Sequence, residues 1–175
     1  MKNIGLYLHI PFCKSKCPYC DFYSFSGKDN EKDEYTKILR ERILSSISTL
    51  QCKGDTLYIG GGTPSVLGAE NLKILVGTCK NGFLTDDAEI TVECNPNSDI
   101  ESILPYLLKA GVNRISLGLQ SAVDKERKIL GRQSDKKRVT EVIKLLKSNG
   151  ITNISLDVML GIPYQTNESL KETLD

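Results

Sequence analysis

Five short segments of this chain alternate apolar residues with small or polar ones, and helix-like stretches separate them. The segments are IGLYLHI from Ile4, DTLYIG from Asp55, EITVE from Glu89, RISLGLQ from Arg114 and NISLDVM from Asn153. Strands interleaved with helical patterns predict a parallel sheet covered by helices. Strands buried on both faces would be apolar throughout. Here Leu6, Leu8 and Ile10 share one face and Tyr7 and His9 the other; Leu57 and Ile59 oppose Tyr58 and Gly60; Ile90 and Val92 oppose Thr91 and Glu93. The fourth segment sets Ile115, Leu117 and Leu119 against Ser116, Gly118 and Gln120, and the fifth sets Ile154, Leu156 and Val158 against Ser155 and Asp157. Side chains alternate with a period of two, so each strand offers one oily face to helices and one polar face to something else. An antiparallel sheet with one wet face has the same alternation, but the intervening helices favour an α/β barrel with a polar lumen.

Three helices are legible between the strands. EYTKILRERILSSIS from Glu34 carries Ile38, Ile43, Leu44 and Ile47 near helical spacing; ESILPYLLKAG from Glu101 stops at Gly111, with Pro105 read as a first-turn proline. DKKRVTEVIKLLKSNG from Asp135 places Val139, Val142, Ile143, Leu145 and Leu146 on one side and stops at Gly150.

Chain length bounds how much of a barrel is present. An eight-unit barrel uses about 31 residues per unit, so 175 residues accommodate about five or six. The expectation is one domain over residues 1–175, a barrel wall of about five βα units. Its last segment, NESLKETLD, reads as the start of the next helix, which predicts a C-terminally truncated barrel without a sixth strand. The formal net charge of +1 provides no global field for nucleic acid or an anionic membrane. No stretch approaches 18 apolar residues and the N-terminus has no apolar signal region, so a cytoplasmic protein without a transmembrane segment is expected.

In a barrel of this kind the site lies at the C-terminal ends of the strands, where the last inward residues are His9, Gly60, Glu93, Gln120 and Asp157. A loop with Cys13, Cys17 and Cys20 follows the first strand immediately. Such spacing lets three thiolates converge, and soft thiolates select zinc, Cu(I) or an iron–sulfur cluster. Structural zinc wants four ligands, and the nearby candidates for a fourth are His9 and Asp21. Without either, a [4Fe–4S] cluster on three thiolates leaves one iron open, a feature of catalytic centres. Cys52, Cys79 and Cys94 are scattered and read as small core hydrophobes.

The C-x3-C-x2-C spacing resembles the signature of radical S-adenosylmethionine (SAM) enzymes. Together YLHIPFCKSKCPYCDFYS, GGGTPS, VECNP, GVNRISLGLQS, ILGR and SLDVMLGIPYQT resemble the oxygen-independent coproporphyrinogen III dehydrogenase (oxidase) family, and within it the HemW-type haem-chaperone branch. That resemblance implies a partial radical SAM (βα)6 barrel, a [4Fe–4S] cluster on Cys13, Cys17 and Cys20, and SAM at the open iron. It implies SAM contacts from Tyr7, Tyr19, Gly61, Gly62, Thr63, Glu93, Gln120, Arg132 and Asp157. Glu93 and Asp157 can accept hydrogen bonds from an ammonium and ribose hydroxyls, while Arg132 can grip a carboxylate with a bidentate fork. The dehydrogenase branch implies radical decarboxylation of porphyrinogen propionates, fed by a flavodoxin or ferredoxin; the chaperone branch implies haem bound and passed to an acceptor protein. Asp21 stands near the place where the dehydrogenases carry a further cysteine, which favours the chaperone branch. Ser134 stands where the family's Gly-Arg is usually followed by histidine. His9, the only histidine, reads as a packed, hydrogen-bonded residue rather than a haem ligand. A small zinc-binding structural module is the alternative from another class.

Overall fold

In the computed structural model, which describes residues 4–50, 52–132 and 135–175, five strands run parallel in the order of the chain: β1 (Ile4–Ile10), β2 (Gly54–Gly61), β3 (Leu84–Cys94), β4 (Arg114–Gln120) and β5 (Asn153–Val158). Each pairs with the next: His9 lies beside Gly60, Ile59 beside Val92, Glu93 beside Ser116, and Gly118 beside Asp157. The register therefore brings the strand ends to one edge. Among the described residues six α-helices complete the βα repeat: α1 (Asp29–Thr49), α2 (Ala69–Gly82), α3 (Ile100–Ala110), α4 (Asp124–Ile129), α5 (Lys136–Ser148) and α6 (Asn167–Leu174). No described helix is long and apolar enough to cross a membrane.

The two-faced strands are as expected. Leu8, Ile10, Leu57, Ile59, Ile90, Val92, Ile115 and Leu117 are buried in one core with Leu72, Leu75, Val76 and Cys79 of α2 and Leu104 and Leu107 of α3. Each such side chain contributes about 1.5–3 kcal/mol by leaving water. On the opposite face Tyr7 remains 54% exposed. The oily side weakens at β5, where Leu156 is 39% exposed and α6 buries no residue.

Helix ends depart from expectation in several places. α1 starts at Asp29, where the Glu31 carboxylate accepts from the Lys28 N–H at 2.6 Å. Of its four expected core residues Ile43 is buried and Ile47 packs against the core, but Ile38 and Leu44 face outward. Ile38 sits five residues from Ile43, well off its face at 3.6 residues per turn. α2 was not anticipated, although Leu72, Leu75, Val76 and Cys79 have helical spacing. Pro105 lies in the second turn of α3 rather than the first, where it removes the N–H that would reach the Glu101 carbonyl. The stops hold: Gly111 is left-handed with φ 98° and its N–H reaches Leu107 O at 3.1 Å.

Candidate functional site

The cysteine loop is fastened to the sheet first by its backbone. The Cys13 N–H donates to Phe25 O (3.0 Å) and the Phe25 N–H to Pro11 O (2.9 Å), so the loop closes on its own root. Phe12 is buried between Phe25 and Tyr35, edge to face with each at 5.3 Å. The tip of β2 is stitched to that root: Gly62 N–H donates to Ile10 O and Thr63 N–H to Phe12 O, both at 2.7 Å. A Cβ at Gly62 would stand 2.6 Å from Phe12 O, and Gly61 has φ 117°, so the GGGT run is a close backbone approach that only glycine permits. Thr63 also brings its hydroxyl to 3.5 Å from the Cys13 sulfur.

Beyond this weld a cavity of about 370 Å³ opens at the strand ends. Cys13, Cys17, Cys20, Tyr19, Gly61, Gly62, Thr63, Glu93, Gln120, Arg132 and Asp157 all line it. Tyr7 is not among the lining residues; its ring stacks on Tyr58 at 6.1 Å and its hydroxyl meets His9 Nδ1 at 3.2 Å. His9 Nε2 lies 3.0 Å from Tyr23 O. A carbonyl only accepts, so Nε2 carries a proton and donates it to Tyr23 O. Both nitrogens are thus engaged within the protein, in keeping with a hydrogen-bonded histidine.

Charge is distributed unevenly around the cavity. Glu93 Oε1 accepts from the Tyr58 hydroxyl (2.7 Å) and Oε2 from the Gly61 N–H (3.1 Å). Burial pushes its carboxyl above the usual range and Asp157 adds to this, while Tyr58, Gly61 and His9 pull it down. Asp157 accepts from Ser116 at 3.0 Å. Across the cavity the Arg132 guanidinium lies 5.8 Å from the centre of the Tyr19 ring, and its Nε is buried without a hydrogen-bond partner among the described residues. Gly118 makes room there, since a Cβ would approach both Arg132 Nη2 and Gln120 Nε2 to 3.0 Å. Gln120 has φ 68°, an uncommon strained conformation at the end of β4.

Several residues of the site escaped sequence reasoning. Arg127 lies among charged residues between Lys125 and Lys128, yet it is 1% exposed and donates to Leu119 O (2.8 Å) and Ser121 O (2.7 Å), bracing the corner that carries Gln120. Glu126 is 3% exposed, accepts from Ser121 and Ser169, and so ties α4 to α6. Cys94 lines the cavity, where burial pushes its thiol up to about 12 and keeps it protonated; Cys79 is shifted to the same value by the same cause. Asp21 is exposed, and Ser134 lies outside the described residues.

The donor set can be matched to a ligand. All three loop cysteines are free thiols and half-buried. No three described His, Cys, Asp or Glu side chains converge closely enough for a single metal ion, whereas a cubane cluster takes each thiolate on a different iron. Beside the thiols, paired carboxylates and an arginine with an unsatisfied buried N–H suit a zwitterion bearing an ammonium, hydroxyls and a carboxylate. The residues present fit both groups.

Comparison with known proteins places the chain in a family. Residues 7–175 match the sequence pattern of the Radical SAM superfamily. The chain is 37% identical to heme chaperone HemW of Haemophilus influenzae over 98% of its own length and 46% of the relative's. It is 28% identical to the oxygen-independent coproporphyrinogen III oxidase of Paracoccus denitrificans, over 98% of this chain and 39% of that one. The solved coproporphyrinogen III oxidase (HemN) of Escherichia coli superposes with a TM-score of 0.88 at 28% identity, covering 98% of this chain and 40% of the other. The chain therefore spans less than half the length of the curated relatives it matches.

Proposed function

Since the chain belongs to the radical SAM superfamily, we propose that Cys13, Cys17 and Cys20 hold a [4Fe–4S] cluster with one iron open, and that SAM occupies the adjoining cavity. The observation that carries this is the gathering of the cysteine loop, the glycine loop, Glu93, Gln120, Arg132 and Asp157 around one cavity. When bound, the reduced cluster and SAM together supply hydrogen-atom abstraction chemistry. The chain's own residues do the positioning. Arg132 offers its unsatisfied N–H to a carboxylate, Glu93 receives the ammonium, and Asp157, oriented by Ser116, accepts from ribose hydroxyls. Gly61 and Gly62 admit the methionine end by presenting bare backbone, and Tyr19 and Thr63 close the wall beside the thiols. Tyr7, which stacks on Tyr58, completes the proposed set from behind.

The protein to which these residues belong is, on this reading, a cytoplasmic haem chaperone that binds haem and hands it to an acceptor protein. Support comes from 37% identity to a heme chaperone HemW against 28% to a coproporphyrinogen III oxidase. The second reading is oxygen-independent oxidation of coproporphyrinogen III with a flavodoxin or ferredoxin as electron donor, favoured by the HemN superposition. Anaerobic reconstitution with iron and sulfide, followed by electron paramagnetic resonance of the reduced protein, tests the site. A [4Fe–4S]+ signal that changes when SAM is added supports it; zinc without acid-labile sulfide would replace it with the structural zinc module. Anaerobic turnover of coproporphyrinogen III with SAM and a reductant would favour the second reading over the first.

A further inference from the structure

Tyr58 belongs to no motif that defines the site, yet it makes the shorter of the two hydrogen bonds to Glu93. β2 and β3 pair with Tyr58 beside Thr91, so Glu93, two residues further along β3, comes within reach of a long side chain at 58 on the same face. The phenol donates to Glu93 Oε1 at 2.7 Å, while the Gly61 N–H holds Oε2 at 3.1 Å. Space for this contact depends on Gly60, where a Cβ would lie 2.8 Å from the Tyr58 ring and 2.9 Å from the Glu93 carboxyl. The Tyr7 ring, stacked at 6.1 Å with planes 27° apart, backs the Tyr58 ring from the other side. Tyr58 is thus fixed on both flanks, with its hydroxyl aimed at one oxygen.

From this geometry we infer that Tyr58 is a positioning residue that holds the Glu93 carboxylate in place for the ammonium group of the bound ligand. The inference rests on the SAM reading of the cavity. The groups facing Glu93 are Tyr58 and the Gly61 N–H from β2, His9 and Tyr7 from β1, Asp157 from β5, and its own neighbour Cys94. Burial and Asp157 favour the neutral acid; Tyr58, Gly61 and His9 oppose them. Without the phenol hydroxyl the balance tilts toward the neutral acid, and an ammonium loses its counter-charge.

Tyr58→Phe keeps the ring and its stack and removes only the hydroxyl. In the cluster-reconstituted chain it is expected to weaken SAM binding about tenfold in anaerobic equilibrium dialysis, and to shift the acidic loss of binding to higher pH. Carbon-13 resonance of the glutamate carboxyls, without SAM, is expected to show the Glu93 titration displaced upward. In a double-mutant cycle with Glu93→Gln the two substitutions are expected to be non-additive. Equal affinity and an unmoved Glu93 titration in Tyr58→Phe overturn the inference. A parent chain that does not bind SAM at all overturns the reading of the site and this inference with it, an outcome recognisable because it precedes any difference between the two proteins.

Discussion

The two sides of the cavity are finished to different degrees. On the side of β1, β2 and β3, the Gly62 and Thr63 N–H groups are matched to carbonyls, and both Glu93 oxygens accept a protein hydrogen bond. On the side of β4 and β5, Arg132 keeps a buried N–H with no partner among the described residues, Gln120 holds a strained φ, and Leu156 stays partly in water. The first side is built by the chain for itself. On the proposed reading, the second carries the unmet demand that a ligand would satisfy, while the first presents groups already held in place by the protein.

The largest way to break the contrast is on the finished side. Gly62→Val is expected to cost about 3–4 kcal/mol in urea unfolding, because the new side chain collides with the Phe12 and Ile10 carbonyls, which cannot yield without parting loop from sheet. Arg132→Leu sharpens it from the other side. It is expected to lower SAM affinity about 100-fold while leaving stability unchanged or about 1 kcal/mol higher, since an unsatisfied buried donor is removed. Dialysis and denaturation on one preparation check both halves.

Acidification is expected to separate the same walls. Glu93 has a raised carboxyl pKa in the fold, so the folded state binds the extra proton and gains stability as pH falls through that value. Burial opposes ionisation of Glu126, but donors from Ser121, Ser169 and Gln165 outweigh it and depress its pKa. Its contribution is therefore full above the ordinary glutamate value of about 4.3 and is lost as pH falls through the depressed one. Denaturation midpoints followed from about pH 7 downward are expected to lose the gain in Glu93→Gln and the late acid loss in Glu126→Gln. The smallest effect is a control far from either wall: Gly77→Ala in α2, where a Cβ meets nothing within 4 Å, is expected to add about 0.5–1 kcal/mol and leave SAM affinity untouched.

What could be read from the sequence follows the range of each interaction. Strand parity placed Glu93, Gln120 and Asp157 on the lumen face because side-chain alternation is local, and the cysteine and glycine runs were visible for the same reason. Arg127 was hidden because its burial depends on reaching back to Leu119 and Ser121, which a run of basic residues does not reveal. Tyr58 was hidden because its partner depends on the register between β2 and β3. The α2 pattern was present and simply unread, while Ile38 and Leu44 were counted inward by apolarity when their helical angle turns them out.

The backbone stitches between Ile10, Phe12, Gly62 and Thr63 involve no sulfur and no ligand. The jaw that holds the three thiols is therefore shut by the polypeptide itself, and on the proposed reading a cluster is loaded into a loop that main-chain hydrogen bonds have already closed.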